Sequence, residues 1–169
     1  QDPAHFHGGD APRDIDICFL GSVLRYTDRK IGLGFLAEEG FDLFLGGGQD
    51  ESPMSIADYA ANMRRSKIVL NFARPVFDEP GYQCKGRVFE AALAGAMLLE
   101  QANPETERWF RPGEHYVAFE GERDMAEKAA YYLAHDGERQ AIAAAGQAFA
   151  AEHYSADAYW RAVIDRALG

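Results

Sequence analysis

The chain alternates between two hydrophobic periods. Short apolar runs closed by turn residues are separated by longer stretches in which apolar residues recur every three or four positions. Ile15-Asp16-Ile17-Cys18-Phe19-Leu20 alternates, becomes wholly apolar and stops at Gly21-Ser22, the pattern of a buried strand entering a turn. From Asp28 to Glu39, Ile31, Leu33, Phe35 and Leu36 fall at roughly helical spacing, with Gly40 as C-cap. Phe41 to Leu45 predicts a second strand running into Gly46-Gly47-Gly48. Ser55 and Asp58 form a capping-box arrangement, and Ile56, Tyr59, Ala60 and Met63 supply the apolar face of the helix that follows.

Ile68-Val69-Leu70-Asn71-Phe72 is a third strand, rich in β-branched and apolar residues. The stretch from Ala73 to Cys84 is broken by Pro75, Pro80 and Gly81. A helix over Lys85–Gly95 then leads into a fourth strand, Ala96 to Leu99. Asn103-Pro104-Glu105 combines a cap, a proline at the first helical position and acids in the first turn, so it predicts a helix start. His115 to Phe119 predicts strand five, and three helices close the chain: about Arg123 to Ala134, about Gly137 to Ala151, and Ala156 to Leu168 capped by Ser155. Strands alternating with helices imply an α/β, Rossmann-like doubly wound fold on a parallel sheet of about five strands with right-handed crossovers. Ligands of such sheets lie beyond the carboxyl ends of the strands, near the switch point. That places the segments Gly21 to Lys30, Asn71 to Arg87 and Glu100 to Asn103 at the ligand edge.

Composition narrows the partners. The 169 residues suit one domain with a full core, and 47% hydrophobic with 26% charged residues is ordinary globular usage. A net charge of −10 opposes binding to nucleic acid or to an anionic membrane surface, and no apolar run reaches the length of a membrane span. Within this acidic chain, Arg64, Arg65, Lys67, Arg74, Lys85 and Arg87 are opposed only by Asp78 and Glu79, a local net charge of +4 that suits a small anion. Residues Gln1 to Arg13 are polar, rich in Gly and Pro and without periodicity, and are expected to be a linker preceded by a further segment. The domain itself is expected over residues 14–169. Cys18 and Cys84 make neither a disulfide framework nor a zinc spacing, and the five histidines lack metal-ligand spacing, so a reducing cytoplasm and no metal site are expected.

Chemistry concentrates in Lys85–Gly95. Two cations and a glycine enter a helix whose N-terminus carries free N–H groups and a partial positive charge, and one carboxylate lies a turn further in. This is either a phosphate cradle or an ordinary helix with a basic start. Glu90 is either a hydroxyl acceptor for a ligand or the partner of Arg87 across one turn. Asn71, at the end of a buried strand, contacts a ligand or caps a turn. Gly21 permits close approach or serves turn geometry alone. It is not part of a GxGxxG turn, which disfavours a dehydrogenase. Strand one lacks a terminal acidic pair, which disfavours a phosphoacceptor receiver. Tyr131, Tyr132, Tyr154, Tyr159 and Trp160 are expected to be helix-packing residues.

With these residues in view, the chain resembles the group 1 glycosyltransferases of the GT-B superfamily, most closely their spore maturation protein-like branch. The likeness rests on Lys85-Gly86-Arg87-Val88-Phe89-Glu90-Ala91-Ala92-Leu93-Ala94-Gly95-Ala96. It extends to Ser66-Lys67-Ile68-Val69-Leu70-Asn71-Phe72, Phe110-Arg111-Pro112-Gly113-Glu114, Ala143-Ala144-Ala145-Gly146, and the linker-like Asp2-Pro3-Ala4-His5-Phe6. The resemblance implies the C-terminal, donor-binding half of a two-domain, retaining-type enzyme. Such a half would be inactive without its N-terminal, acceptor-binding domain. It implies a nucleotide-sugar as donor substrate, with no cofactor and no obligatory metal. Gly86 and Arg87, with Lys85, would lie by the diphosphate, and Glu90 would take ribose hydroxyls. The loop after strand one would offer Arg25, Arg29 or Lys30 to phosphate; spacing does not choose, and Arg25 is carried with Gly21 as the expected contact. Asn71 is a further ligand-edge candidate. Many relatives place a second glutamate eight positions before the one matching Glu90, near the donor sugar, where this chain has Tyr82. The competing reading is a non-catalytic module of the same fold that binds a nucleotide or a protein.

Overall fold

The computed structural model describes residues 1–48, 53–75 and 80–168; Asp78 and Glu79, the acids opposing the cationic window, lie outside them. Five strands, β1 (Ile15–Gly21), β2 (Leu43–Gly47), β3 (Ser66–Asn71), β4 (Met97–Gln101) and β5 (Val117–Phe119), form one parallel sheet in the order β2-β1-β3-β4-β5. The helices are α1 (Thr27–Glu38), α2 (Ile56–Arg65), α3 (Gly86–Leu93), α4 (Gly121–Ala134), α5 (Asp136–His153) and α6 (Ala156–Leu168). Strand order reverses between β1 and β3. The doubly wound expectation therefore holds, and the crevice at their carboxyl ends is the switch point.

The strand alternation sorts side chains into two cores. Cys18 and Leu20 of β1, Val69 of β3 and Leu98 of β4 meet Met63 of α2 and Val88, Ala91 and Leu93 of α3. Ile17, Phe19, Ile68, Leu70, Met97 and Leu99 face the other way, against Leu33 and Leu36 of α1 and Met125 and Ala129 of α4. The caps follow the residues expected to make them. Ser55 Oγ accepts from the Asp58 N–H at 3.1 Å, and Ser155 Oγ from the Ala158 N–H at 3.2 Å. The N-terminal segment also contributes: Phe6 is buried in the first core, edge-on to Tyr59, and Arg64 donates to the His5 carbonyl at 2.5 Å. Nothing in the polar composition of that segment announces the docking.

Three expectations are corrected. Residues 104–109 form linked turns, not a helix. The Asn103 cap is made, with Glu105 N–H on Oδ1 at 3.0 Å, but the Asn103 amide is drawn inward to Thr106, Glu100 and the Gln83 carbonyl. Pro112 and the turn at Gly113 (φ +79°) then reverse the chain toward β5 before a helix can propagate. Second, α6 buries none of its side chains, and Tyr159 and Trp160 stand exposed against each other rather than packing on the domain. Third, Ile31, expected on the buried face of α1, is exposed, while Arg29 takes an inward place.

Gly146 of α5 is pressed against the His115 carbonyl, where an added Cβ would collide with backbone. Gly146→Ala is therefore expected to lower stability by about 1–3 kcal/mol despite its better helix propensity, as read by urea unfolding. An unchanged or higher midpoint would show that α5 does not dock this closely.

Candidate functional site

The register of β3 and β4 sets Asn71 beside Glu100, and the alternation turns both side chains toward the layer that holds α3. That helix begins at Gly86 behind an N-cap, Lys85, whose side chain makes no cap. From its first turn Arg87 reaches back to the sheet. Its Nη1 donates to Asn71 Oδ1 at 2.7 Å, and its Nη2 donates to the Leu20 carbonyl. One guanidinium thereby spans the ends of β1 and β3 at the switch point. Its Cζ lies 4.6 Å from the centroid of the Phe19 ring, a cation–π contact. A Cβ at residue 21 would strike Arg87 Nη2, so Gly21 is the opening that admits the guanidinium. The group that approaches this glycine closely is a side chain of the protein itself.

Two further cations crowd the same place. Arg29 of α1 is buried, donates through Nη1 to the Ser22 carbonyl at 2.5 Å, and lies 3.4 Å from the Tyr26 ring centroid. Lys85 Nζ lies 4.8 Å from the same ring and donates to the Arg74 carbonyl at 2.8 Å. Burial, reinforced by the neighbouring cations Arg29 and Arg87, pulls the Lys85 ammonium down to about 8. Burial and then Arg87 pull Arg29 down to about 10. Nε of Arg29 and Nε of Arg87 are buried without a partner among the described residues. Cations held at mutual cost around a helix N-terminus without a side-chain cap are complementary in charge to a polyanion.

Glu100 lies beneath this cluster. It is fully buried at the end of β4, and its Oε1 accepts from Asn71 Nδ2 at 2.9 Å, Thr106 Oγ1 at 3.1 Å and Asn103 Nδ2 at 3.3 Å. Burial pushes its carboxyl up to about 7, against the opposing pull of these hydrogen bonds and of Arg87. On the side of α3 that faces α2, Glu90 accepts from the Tyr59 hydroxyl at 2.9 Å, and the Arg87 guanidinium, which reaches into the sheet, also faces that phenol. A Cβ at Gly86 would lie 3.4 Å from Glu90 Oε1, an ordinary contact distance, so Gly86 and Glu90 are neighbours at the start of α3.

Gly21, Asn71, Lys85, Gly86, Arg87 and Glu90 are thus gathered at one end of α3. Of the cations in the loop after β1, Arg29 is buried within the cluster, whereas Arg25 and Lys30 are exposed. Tyr82 is half-exposed, with the Arg74 guanidinium 4.7 Å from its ring centroid. The sequence sets Glu100 and Asn103 at the ligand edge, with Asn103 as a cap, and Tyr59 on the apolar face of α2, but assigns none of them, nor Thr106, a role in the site. Only Glu100, a carboxylate closing an apolar strand, carried a signal.

These shifts set the pH dependence of stability. The folded state keeps the Glu100 proton that the unfolded chain loses near 4.5, so this contribution is full below that pH and lost as pH rises through about 7. Lys85 acts oppositely. The unfolded chain holds its proton up to about 10.5, so stability recovers as pH rises from about 8. Urea unfolding of the wild type against Glu100→Gln should therefore show a relative loss, on the order of 3 kcal/mol, between pH 4.5 and 7. Parallel pH profiles for the two proteins would contradict the buried, proton-holding state of Glu100.

Among known proteins, a family model described as glycosyl transferase-like matches residues 13–165. No curated protein sequence matches the chain. Solved structures do. The Anabaena protein HepE in complex with UDP-glucose is similar at a TM-score of 0.72 and 12% identity, over 90% of this chain and 48% of that one. The C-terminal domain of the group 1 glycosyl transferase LpcC from Francisella tularensis is similar at a TM-score of 0.69 and 12% identity, over 92% of this chain and 99% of that one. Sucrose-phosphate synthase from Thermosynechococcus elongatus is similar at 0.67 and 12% identity, over 99% of this chain and 51% of that one. The chain spans about half the length of HepE. Its fold is like that of the LpcC C-terminal domain, and with a family model matched along nearly all of it, the chain belongs to the glycosyl transferase-like family.

Proposed function

We propose that the chain is the donor-binding half of a glycosyltransferase that moves a sugar from a nucleotide-sugar to an acceptor held by a second, N-terminal domain. The carrying observation is the convergence of Arg29, Lys85 and Arg87 on the uncapped N-terminus of α3 at the switch point. Departure of the nucleoside diphosphate breaks the bond from the sugar's anomeric carbon to the terminal phosphate oxygen, and negative charge grows on that oxygen. Preorganised cations and helix N–H groups stabilise this charge more than that of the bound donor, which lowers the barrier. Arg87, whose Nη groups are held by Asn71 and the Leu20 carbonyl, lends its charge and remaining N–H groups from beneath, Arg29 and Lys85 add charge from the side, and Gly86 lets the backbone approach.

In this reading Glu90 accepts from ribose hydroxyls, its carboxylate oriented by Tyr59. Arg29 takes the role carried by Arg25 in the sequence-based expectation, because it is the buried cation facing Lys85 and Arg87. HepE, the similar structure, was solved with UDP-glucose and with UDP and glucose, which supports a nucleotide-sugar for this edge of the fold. Retention of anomeric configuration and membership of the spore maturation-like branch belong to the same proposal and rest on the resemblance carried by the Lys85–Ala96 motif; a cytoplasmic setting belongs to it too and rests on the free cysteines Cys18 and Cys84. Inactivity of this half alone belongs to it as well, since the acceptor and any catalytic base come from the other domain. No resident metal or cofactor is required, because the side-chain cations supply the charge.

Calorimetric titration tests the proposal with UDP, GDP and ADP, their sugars, and pyrophosphate, on this chain and on the chain joined to its N-terminal half. At least one nucleotide should bind, with Lys85→Ala and Arg87→Ala weakening it by about 10- to 100-fold. Glu90→Ala should weaken nucleotide binding several-fold and leave pyrophosphate binding unchanged. Failure of every nucleotide to bind either protein, or indifference to all three substitutions, would sink the donor-site reading.

A further inference from the structure

The core does not need Glu100. Met97, Leu98 and Leu99 show what β4 requires at its buried positions, and a carboxyl among them is costly unless its hydrogen bonds do something. Oε1 accepts three donors, from Asn71, Thr106 and Asn103, while Oε2 has no partner among the described residues. The consequence lies in the Asn71 amide. Its two ends are nearly equal in shape, so only its partners choose which way it points. With Glu100 Oε1 receiving Nδ2 on one side, Oδ1 must face the other, where Arg87 Nη1 donates to it at 2.7 Å. Reversed, the amide would set an NH2 group against a guanidinium, donor against donor.

We infer that Glu100 is a positioning residue: it fixes the Asn71 amide, and through it holds the Arg87 guanidinium at the carboxyl ends of β1 and β3. The functional meaning of this relay rests on the donor-site reading; the relay itself does not. Asn103 and Thr106, from the turns after β4, hold Oε1 in place as the acceptor. A proton arriving on Glu100 therefore goes to Oε2. The amide keeps its orientation in both states while the charge beneath Arg87 switches. The charged and titratable groups facing Glu100 are Arg87 and Lys85 at the start of α3, Cys84 in the loop before it and Tyr116 ahead of β5. With Glu100 held up to about 7 by burial, the cluster shows its full positive charge below that pH and a partly offset charge above it. Anion affinity then falls as pH rises through about 7, before Lys85 itself discharges at about 8.

The test reads the Arg87 guanidinium by 15N NMR on the whole chain without nucleotide. A guanidinium held at both nitrogens gives separate Nη signals, and a freely rotating one gives averaged signals. Separate signals are expected in the wild type and in Glu100→Gln, which keeps an acceptor at Oε1, and averaged signals in Glu100→Leu. In the wild type the Arg87 Nε shift should move with a midpoint near pH 7, and in Glu100→Gln that step should be missing, leaving only the later one from Lys85 at about 8. Separate Nη signals in a folded Glu100→Leu protein would overturn the positioning role. If that variant does not fold, the wild-type titration decides: an Arg87 signal that shows no step near pH 7, ahead of the Lys85 step at about 8, overturns the proposal. Because no ligand enters, a failure here leaves the donor-site reading standing, and absence of nucleotide binding leaves the relay standing.

Discussion

The Arg87 guanidinium is the constraint around which this end of the fold is arranged. It bonds the Leu20 carbonyl at the end of β1 and the Asn71 side chain at the end of β3, the two strands between which the sheet order reverses. A carboxyl-end crevice opens there in any doubly wound sheet, because the crossovers leave in opposite directions. Here a cation anchored in the first turn of α3 spans the opening. Gly21 admits it, Phe19 supports it from below, and Asn71 with Glu100 orients it from the side. Replacement of any one of these residues loosens the position of the same charge.

That arrangement keeps electrostatic tension in the folded chain. Arg29 and Lys85 are each held below their ordinary pKa by burial and by other cations; Asp28 offsets part of this for both, and Glu100, which also faces Lys85, is itself pushed toward neutrality. Stability alone would favour a neutral, apolar crevice, since unpaired buried charge is costly. In the proposed donor site a bound diphosphate would relieve the tension by supplying negative charge, and the relief would appear as affinity. The same preorganisation serves a leaving group whose charge grows during reaction, because the cations need not move to meet it.

Most of the fold was legible from periodicity, because the strands and helices here obey simple alternation. Ile15 to Leu20, Ile68 to Phe72 and the Ser55 cap all led to elements within a residue or two of those observed. Asn103-Pro104-Glu105 misled, since the local signal for a helix start was overridden by the inward pull of the Asn103 amide on a tertiary network. The candidate site was legible in its local part: Lys85, Gly86, Arg87 and Glu90 lie in one stretch. Its non-local part was not. That Arg29, rather than Arg25, faces the cluster depends on the rotation of α1, in which Ile31 turns outward. That Glu100 governs Asn71 depends on strand register, which no spacing along the chain encodes.

The most direct test is a crystal structure of the chain with the tightest-binding nucleotide-sugar. The diphosphate should lie over the N-terminus of α3, within hydrogen-bond reach of Lys85, Arg87 and Arg29, with the ribose against Glu90. A nucleotide seated elsewhere, such as the groove between α1 and α4 lined by Phe35, Phe41 and Arg123, with the cation cluster left empty, would contradict the donor-site assignment.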